Sequence, residues 1–463
     1  MMESCVKAKL AQLGYIVNSI PYEYIEACNA WYRNEIIDDF HKRISINGSP
    51  YEIDRMNFAK RGCADDANLC EVISINVGDT QKDNSQSEVV NKMLNDNKFN
   101  VMYRKQLEYM SATGTVGAYV RLENATYLDN GKVIGGDVKI SYCYAENYIP
   151  LKIVNDEVVE AAFSKVDYIN DIKKTTLVMF TKSNGLYKAD TYVFEGENET
   201  EAYWIQLGDV KPFEVMRVAE VNNVKNMDGF GLPKIWNAIP ILKKLDLCNM
   251  VLHGDLEKGE KYILTNEAIV DIDPKTGKPQ KYNTMWKKLF VFLGRKPIDG
   301  GGYIQEYNPK IRIDEIIKAL ELCLSLFSMM FGFGSKKYTF ENGQIQTATQ
   351  YVGERQDAMQ DLNKQRQESI AYISHIIKAM MWFENTFNNG GYDLDAEICI
   401  DFDDSYIEDK NTKIEAMRTD AISFSEIPEF TIQYIMMRLN VEREEALKIY
   451  ENQIEEKDPE TDD

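Results

Sequence analysis

Side chains suited to acid–base or metal chemistry are sparse in this 463-residue sequence. Only three histidines occur, at His41, His253 and His375, and none is followed three or four residues later by another histidine or a cysteine. No nucleophile-elbow, zinc-protease, phosphate-loop or EF-hand pattern is present. We therefore expect a protein that is not an enzyme and that uses no cofactor.

Two further features are weak candidates for ligand chemistry. The acidic cluster DFDDS contains Asp401, Asp403 and Asp404. Carboxylates can bind divalent cations, but no histidine or recognisable loop motif stands beside them, so a solvated strand end is the favoured interpretation. Gly332 and Gly334 form a GxG pair that does not follow a strand, so nucleotide binding is poorly indicated. No metal site is predicted.

The eight cysteines are scattered without a CxxC pair, and several fall within apolar helical patterns. Reduced cysteines in the core are therefore expected. No signal peptide is visible. The longest near-apolar run, LELCLSLFSMMFGFG, is interrupted by Glu321 and is too short to span a bilayer. We expect a reduced, intracellular, soluble protein without membrane contact.

Charge is unevenly distributed along the chain. The net charge of −21 argues against nonspecific nucleic-acid binding over the whole surface, although a local basic patch could still contact DNA. Between positions 271 and 298 seven cations stand against two acids. These cations are Lys275, Lys278, Lys281, Lys287, Lys288, Arg295 and Lys296. They either bind an acidic partner or make a hairpin soluble.

Residues 332–348, GFGSKKYTFENGQIQTA, separate the two strongest helix patterns of the chain. Connections between helices are usually about two to eight residues long. This longer loop contains the pair Lys336 and Lys337 followed by Tyr338. The two lysines either contact an anion or belong to a solvated turn.

The first half of the chain combines helix and strand patterns. Apolar periodicity predicts helices over 22–44, 53–75, 86–97 and 99–112. Gly114 and Gly117 mark a switch from helix to strand. Residues 115–221 then alternate short β-branched and aromatic runs with DNG, GG, ND and NG turns. A mixed α+β domain is predicted.

Long helices dominate the second half. Pro233 marks the start of a helix within 229–259, in which Pro240 implies a kink or a later start. A second helix over 313–331 is predicted to be capped by Asp314. Apolar stripes expected to pack include Ile239, Leu242 and Leu245 on the first helix and Ile317, Leu320, Leu324 and Phe327 on the second.

The remaining segments are an insert, a third helix, a strand and a tail. Residues 260–310 read as a small insert with two strands. A long helix is predicted over 347–388, and residues 392–405 read as one alternating strand. Residues 406–463 read as two or three short helices with an acidic tail.

This order resembles that of the portal proteins of tailed bacteriophages, specifically the long-tailed, siphophage type found in Gram-positive hosts. SATGTVGAYVRL (111–122) is similar to the helix-to-strand switch of that family, and GFGLPKIWNAIPILKKLD (229–246) to its first stem helix. GQIQTATQYVGERQDAMQDLNKQRQ (343–367) resembles the start of its long helix, and LNVEREEALKIYENQIEEK (439–457) its C-terminal helix. The resemblance covers essentially the whole chain.

The resemblance implies a portal fold, with an α/β wing, a two-helix stem, a small β-containing clip and a helical crown. The implied segments are an N-terminal wing at 1–228, stem helices at 229–259 and 311–331, a clip at 260–310, a tunnel loop at 332–346, a long wing helix and return strand at 347–405, and a crown at 406–463. Pro240 and the short crown depart from the family pattern.

The resemblance also implies a function. Such chains form a ring, usually a dodecamer, at one capsid vertex, and double-stranded DNA is packaged and ejected through it. Lys336, Lys337 and Tyr338 would contact DNA in the channel, and the basic clip would contact DNA at the exit or a partner. Implied partners are terminase, the head-tail adaptor, and the major capsid and scaffolding proteins. The chain would reside in the host cytoplasm during assembly and then in the virion.

Two alternatives remain open at this stage. The chain could belong to a nucleic-acid-processing or packaging enzyme, against which the missing phosphate-loop motif counts. It could also be another structural protein of the capsid or tail.

Overall fold

The computed structural model describes residues 2–45, 47–78, 84–127, 133–259, 262–265, 290–292, 304–334, 337–338, 348–403, 410–424, 427–439, 441 and 443–455. Within these ranges the chain is mixed α and β, which confirms the α+β expectation at that level. It divides into two compact units. The first is Met1–Ala67 with Val101–Tyr392, and the second is Asn68–Asn100 with Asp393–Asp463.

Helices and strands are numbered in chain order. The helices are α1 (Ser4–Gln12), α2 (Ile20–Tyr32), α3 (Asp38–His41), α4 (Phe58–Ala67), α5 (Ser85–Asp96), α6 (Phe99–Thr113), α7 (Lys234–Lys258), α8 (Ile313–Met330), α9 (Ala348–Phe387), α10 (Lys410–Ser423), α11 (Pro428–Leu439) and α12 (Arg443–Glu455). The strands are β1 (Lys42–Ile44), β2 (Pro50–Glu52), β3 (Val72–Val77), β4 (Thr115–Glu123), β5 (Thr126–Tyr127), β6 (Val133–Ile134), β7 (Asp137–Tyr144), β8 (Tyr148–Val154), β9 (Glu157–Ile169), β10 (Ile172–Ser183), β11 (Leu186–Glu195), β12 (Asn198–Gln206), β13 (Phe213–Arg217), β14 (Tyr262–Thr265), β15 (Phe290–Phe292), β16 (Ile304–Tyr307) and β17 (Ile398–Phe402).

The five-stranded sheet of the first unit is antiparallel, with the order β12-β11-β10-β9-β8. Three of its four strand pairs are closed by two-residue turns in which both residues have positive φ, as in type I′ hairpins. These turns are Asn155–Asp156, Asn170–Asp171 and Asn184–Gly185. Asparagine, aspartate and glycine tolerate the left-handed region best, so the ND and NG turn predictions are confirmed.

Helix α1 packs on this sheet. Val6 and Leu10, one helical turn apart, are fully buried. They share an apolar cluster with Leu177, Met179 and Phe194 of the strands. Because residues four apart lie on the same side of a helix, this packing fixes which face of α1 is turned to the sheet.

A three-stranded antiparallel sheet, β13-β4-β7, adjoins the helix-to-strand switch. Helix α6 ends at Thr113 and β4 begins at Thr115, so Gly114, with a φ of +83°, forms the predicted switch. Helix α9 packs against this sheet. The hydroxyl of Tyr372 on α9 donates to Oε1 of Gln106 on α6 at 2.6 Å.

Helices α7 and α8 pack against each other and flank the insert. Helix α7 begins at Lys234 and includes Pro240 in its interior, so the later start at Pro240 is excluded. In the described part of the insert, β14 pairs in parallel with β15 and antiparallel with β16. Strand β16 was not predicted from the sequence.

The second unit contains a two-stranded antiparallel sheet formed by β3 and β17, beside which α5 packs. The Asn91 side chain on α5 donates to the carbonyl oxygen of Ile75 at 2.8 Å. The C-terminal part of the second unit is helical, as predicted, and Ile432, Ile435 and Ala446 form a small apolar cluster there.

The helices predicted over 22–44 and 53–75 are formed only in part. Helix α2 ends at Tyr32, and Asn34 has a φ of +57°, a left-handed conformation that commonly ends a helix. In the second case only 58–67 is α-helical, and Val72 starts β3. The partner strand of β3 lies more than 300 residues away in sequence, so local periodicity could not indicate the pairing.

Two finer predictions are also wrong. Arg312, not Asp314, occupies the N-cap of α8, and it makes no side-chain capping bond. Asp314 lies in the first turn, where a carboxylate still interacts favourably with the helix dipole. The strand predicted over 392–405 extends only from Ile398 to Phe402.

Candidate functional site

The loop that follows α8 begins with a tightly bonded helix end. The Gly332 N–H donates to the Met329 carbonyl oxygen at 3.1 Å, and the Phe333 N–H donates to that of Ser328 at 3.0 Å. Gly332 has a φ of +78°. This is a Schellman motif, which needs a left-handed residue directly after the helix cap. Helix termination therefore explains Gly332.

An aromatic cluster anchors the described part of the loop. We define it as Phe58, Phe327, Phe331, Phe333 and Tyr338. The Tyr338 ring centroid lies 5.7 Å from that of Phe327 and 6.1 Å from that of Phe58. Phe327 and Phe331 are 4.7 Å apart, centroid to centroid. Aromatic pairs at such distances contribute about 0.5–1.5 kcal/mol beyond their buried area, so the cluster holds the loop against α4 and α8.

Helix α4 approaches this cluster closely because position 62 is a glycine. A Cβ at Gly62 would lie 2.8 Å from Cζ of Phe327 and 2.9 Å from Cε1 of Phe331. Real Cβ atoms are essentially never that close to a neighbouring carbon. Any larger residue at this position would push the two rings away from α4.

The hydroxyl of Tyr338 is bonded to the protein itself. It donates to Oδ2 of Asp65 at 2.7 Å, and Arg61 donates its Nε–H to the same oxygen at 2.9 Å. Burial, reinforced by the Asp65 carboxylate, raises the pKa of Tyr338 well above its usual range, so the phenol remains a neutral donor. Tyr338, predicted to contact DNA, is thus half-buried and anchors the loop.

The lysine pair of the loop is only partly described. Nζ of Lys337 lies 5.6 Å from the Phe333 ring centroid, within the range of a cation–π interaction. Lys336 lies outside the described residues. Contact of either lysine with DNA stays a prediction.

The predicted packing residues of the two long helices are mostly buried. Leu242 and Leu245 on α7 are buried, as are Leu320, Leu324 and Phe327 on α8. Two differ from this pattern. Ile239 is half-buried, and Ile317 keeps 39% of its surface exposed in the single chain.

Both long helices carry a second apolar face, turned away from the buried one. Leu247 and Val251, one turn apart on α7, are 42% and 44% exposed. Leu322 and Met329, two turns apart on α8, are 62% and 56% exposed. At 100° per residue, Leu322 and Met329 lie roughly opposite the buried residues of α8. We call these four residues the outer apolar faces.

Polar contacts fix α7 in the first unit. Asp246 accepts the Met56 N–H at 2.9 Å through Oδ1 and contacts Nε2 of His41 at 3.2 Å through Oδ2. Asp66 binds Nζ of Lys234 at 2.6 Å. All four side chains involved are largely buried. The sequence does not predict these contacts, because the two residues of each pair lie 168 to 205 positions apart.

Where the insert meets α8, an ion pair joins the two long helices. Arg312 donates Nε–H and Nη2–H to the two carboxylate oxygens of Asp255 at 2.9 and 2.7 Å. This two-pronged geometry is the strongest that arginine forms with a carboxylate. It fixes the direction in which the chain leaves the insert.

The basic residues predicted to act in the insert, Lys275, Lys278, Lys281, Lys287, Lys288, Arg295 and Lys296, lie outside the described residues. The described part of the insert contains strands β14, β15 and β16, which carry none of these cations. Partner or DNA contact by these cations stays a prediction.

Other candidate chemistry is sparse within the described ranges. No cluster of three or more histidine, cysteine or acidic side chains there could hold a metal ion. In the DFDDS segment, Asp401 accepts a hydrogen bond from the Ser74 hydroxyl at 2.5 Å, and Asp404 is outside the described residues. All eight cysteines are free thiols. None of the described helices has the length and apolarity needed to cross a membrane.

No protein-family model and no curated protein sequence matches the chain. The function is therefore inferred from the residues described above.

Proposed function

We propose that this chain is the subunit of a phage portal, a ring-shaped, non-enzymatic channel at one capsid vertex through which double-stranded DNA is packaged and ejected. The order of elements supports the proposal. An α+β region is followed by α7, a small insert whose described strands are β14, β15 and β16, then α8, a loop, the 40-residue helix α9, the strand β17 and C-terminal helices. This is the order expected for wing, stem, clip, stem, tunnel loop, wing and crown.

The outer apolar faces carry the proposal. Helices α7 and α8 already bury one stripe against each other and the first unit, yet Leu247, Val251, Leu322 and Met329 leave a further stripe exposed. Exposed apolar surface on adjacent helices marks an interaction site in soluble proteins. A helix pair with apolar side chains on more than one side can contact two neighbours at once.

Such two-sided contact builds a ring. When one surface of a subunit binds a different surface of the next, the interface is heterologous, and repeated copies close into a ring if the rotation allows it. In this arrangement the outer apolar faces pack between neighbouring subunits. The stem then forms the wall of a channel.

DNA has to slide through such a channel in both directions. Strong phosphate contacts would hold it, because each neutralised phosphate releases counterions and adds affinity. A protein with a net charge of −21 is suited to weak, sequence-independent contact. In the proposed ring, Lys336 and Lys337 make brief contacts with DNA from a loop anchored by Tyr338.

The partners follow from the same proposal. The basic clip docks terminase during packaging and the head-tail adaptor afterwards, because its cations fit an acidic partner surface. The wing contacts the major capsid and scaffolding proteins. The ring assembles in the host cytoplasm and remains in the virion.

Electron microscopy and mass photometry of the purified full-length chain test this proposal. The expected particle is a ring of about twelve subunits with a central hole, assembled through heterologous contacts. Leu322→Lys combined with Met329→Lys should abolish the ring and leave folded monomers, because two charges would be buried at the subunit interface.

Leu186→Lys provides the matched control. Leu186 is also a large exposed apolar residue, but it lies beside a hairpin turn of the five-stranded sheet. This variant should still form rings. Monomers or open tubes under all conditions, or intrinsic ATP hydrolysis by the purified chain, would contradict the portal proposal.

A further inference from the structure

A cavity of about 570 Å³ opens between α1, α2 and the segment that connects them. It lies in the first unit, and its lining residues do not belong to the loop or to the helix pair described above. Small-molecule sites usually have volumes of about 300–1,000 Å³. Its wall is apolar at Val17, Tyr22 and Ile25, which gives a ligand a hydrophobic surface to pack on.

Asn29 provides a polar group in the wall of this cavity. Its side chain is 3% exposed, and its Nδ2 donates to Oε1 of Glu146. Because a carboxylate can only accept, the amide must keep its nitrogen toward Glu146 and its Oδ1 pointing elsewhere. Within the described ranges of the chain, no donor bonds to this buried Oδ1.

A buried amide oxygen without a donor is unfavourable, so an N–H group from a ligand would be bound there. The oxygen is shielded from solvent. Binding of a donor therefore requires the Asn29 side chain to rotate so that this oxygen faces the cavity.

The charges around the cavity favour a cation. Its carboxylates are Glu23, Glu26, Glu35 and Glu146, and its cations are Lys7 and Arg33. Nη2 of Arg33 lies 2.9 Å from Glu146, and Nη1 lies 4.0 Å from Glu35, so this cation is already neutralised. Neither Glu23 nor Glu26 has an ion-pair partner in the described part of the chain.

Glu26 is the more informative of these two carboxylates. Glu23 lies in the first turn of α2, where the helix dipole alone favours an acid. Glu26 lies beyond that turn and is three residues before Asn29, so both side chains project from neighbouring positions on one face of α2. One cationic N–H group can therefore lie near both.

We propose that the cavity binds an amphipathic organic cation. Its apolar body packs on Tyr22 and Ile25. Its ammonium or guanidinium group is attracted by Glu26 and donates to Asn29. A free amine, or a lysine or arginine side chain of a neighbouring copy, supplies the same chemistry.

Calorimetric titration of the full-length protein with 4-phenylbutylamine and with 4-phenylbutyrate tests the proposal. The amine should bind, and the anion should bind at least about tenfold more weakly, since they differ in the charge that meets Glu26. Equal affinity for the two probes, or no binding of the amine at millimolar concentration, would overturn it.

Three variants locate the binding. Glu26→Gln should weaken amine binding about tenfold, and Lys7→Gln should strengthen it by removing a repelling cation. Ala30→Trp should abolish binding by filling the cavity, with circular dichroism confirming that the variant is folded. Glu445→Gln, at an exposed helical position of the second unit, is the matched control and should bind as the wild type does. Unchanged amine binding in Glu26→Gln and Ala30→Trp would refute this site.

The two sources of the cation are distinguished by measuring amine binding to monomers and to the assembled particles of the proposed function. If monomers bind the amine and assembled particles do not, a basic side chain of a neighbouring copy occupies the cavity in the assembly. If both bind it, the ligand is a free amine.

Discussion

Gly114 and Gly231 pack backbone against backbone. A Cβ on Gly114 would lie 2.3 Å from the carbonyl oxygen of Gly231, and a Cβ on Gly231 would lie 2.2 Å from that of Gly114. The Gly231 N–H donates to Oγ1 of Thr115 at 2.9 Å, and the Val218 N–H donates to the Gly114 carbonyl oxygen at 3.0 Å. This contact joins the helix-to-strand switch to the start of α7.

Replacing Gly231 by alanine should destabilise the first unit by about 2–3 kcal/mol, because the added methyl group overlaps the Gly114 backbone and forces it to shift. The free energy of unfolding can be measured by chemical denaturation. Tryptophan fluorescence reports on the first unit, since all five tryptophans fall within its residue ranges.

Gly254→Ala is the control for this substitution. Gly254 lies within α7, and a Cβ there meets no atom within 4 Å. Alanine should therefore stabilise the helix by roughly 0.5–1 kcal/mol. Equal effects of the two substitutions would show that the close contact between Gly114 and Gly231 is not formed.

Asp246→Asn should destabilise the first unit by about 1–3 kcal/mol although it removes only a charge. Nδ1 of His41 accepts the Ile37 N–H at 2.9 Å, so in the neutral ring Nε2 carries the proton and donates to Asp246. Asparagine would use its oxygen for the Met56 N–H and turn its NH₂ group toward Nε2 of His41. Two donors would then face each other.

The exposed pair His253 and Asp54, 2.6 Å apart, supplies the control. Asp54→Asn should change the free energy of unfolding by less than about 0.5 kcal/mol, since exposed ion pairs contribute little. A loss at Asp246→Asn no larger than the loss at Asp54→Asn would mean that the buried pair does not fix α7 in the first unit.

The contribution of Glu214 to stability should disappear in acid. Burial alone would raise its pKa, but the hydrogen bond with His375 and the charges of Lys211 and His375 outweigh it, so the pKa of Glu214 lies below its ordinary 4.5. A carboxyl group whose pKa is lower in the folded state stabilises the protein above its unfolded pKa. That stabilisation is lost as the pH falls through the folded pKa.

Glu214→Gln should therefore lower the free energy of unfolding most near neutral pH, and the difference from wild type should shrink as the pH falls below about 4.5. Denaturation at a series of pH values measures this. Comparison with wild type at each pH removes the contribution of Asp246. Burial raises the pKa of Asp246 above its ordinary 3.8. The contribution of this carboxyl group to the free energy of unfolding therefore decreases as the pH rises above 3.8. A difference that is constant with pH would contradict the assignment.

Replacing Lys336 and Lys337 by glutamate tests the DNA contact within the proposed function. Rings should form normally, because the proposed subunit contacts lie on the outer apolar faces. DNA packaging or retention should be impaired, because the change reverses the charge that meets phosphate. Lys225→Glu, at an exposed loop position, is the control. Normal packaging by the double variant would exclude a DNA role for the two lysines.

The sequence by itself determined the elements whose signals are local. The turns at Asn155–Asp156 and Asn184–Gly185 form because these residues tolerate positive φ, wherever they lie in a fold. Gly114 ends α6 for the same reason, and Pro233 precedes α7 as its position predicted. In each case the residue itself restricts or permits the backbone conformation.

Only the tertiary structure decided which residues meet. Nothing near His41 in the sequence indicates Asp246, and nothing near Gly62 indicates the rings of Phe327 and Phe331. Strand β3 falls within a segment whose local pattern predicts helix, because its apolar run is short and its pairing partner β17 is remote in sequence. Burial and hydrogen bonding at these positions depend on segments that folding brings together. Local residue patterns therefore cannot predict these contacts.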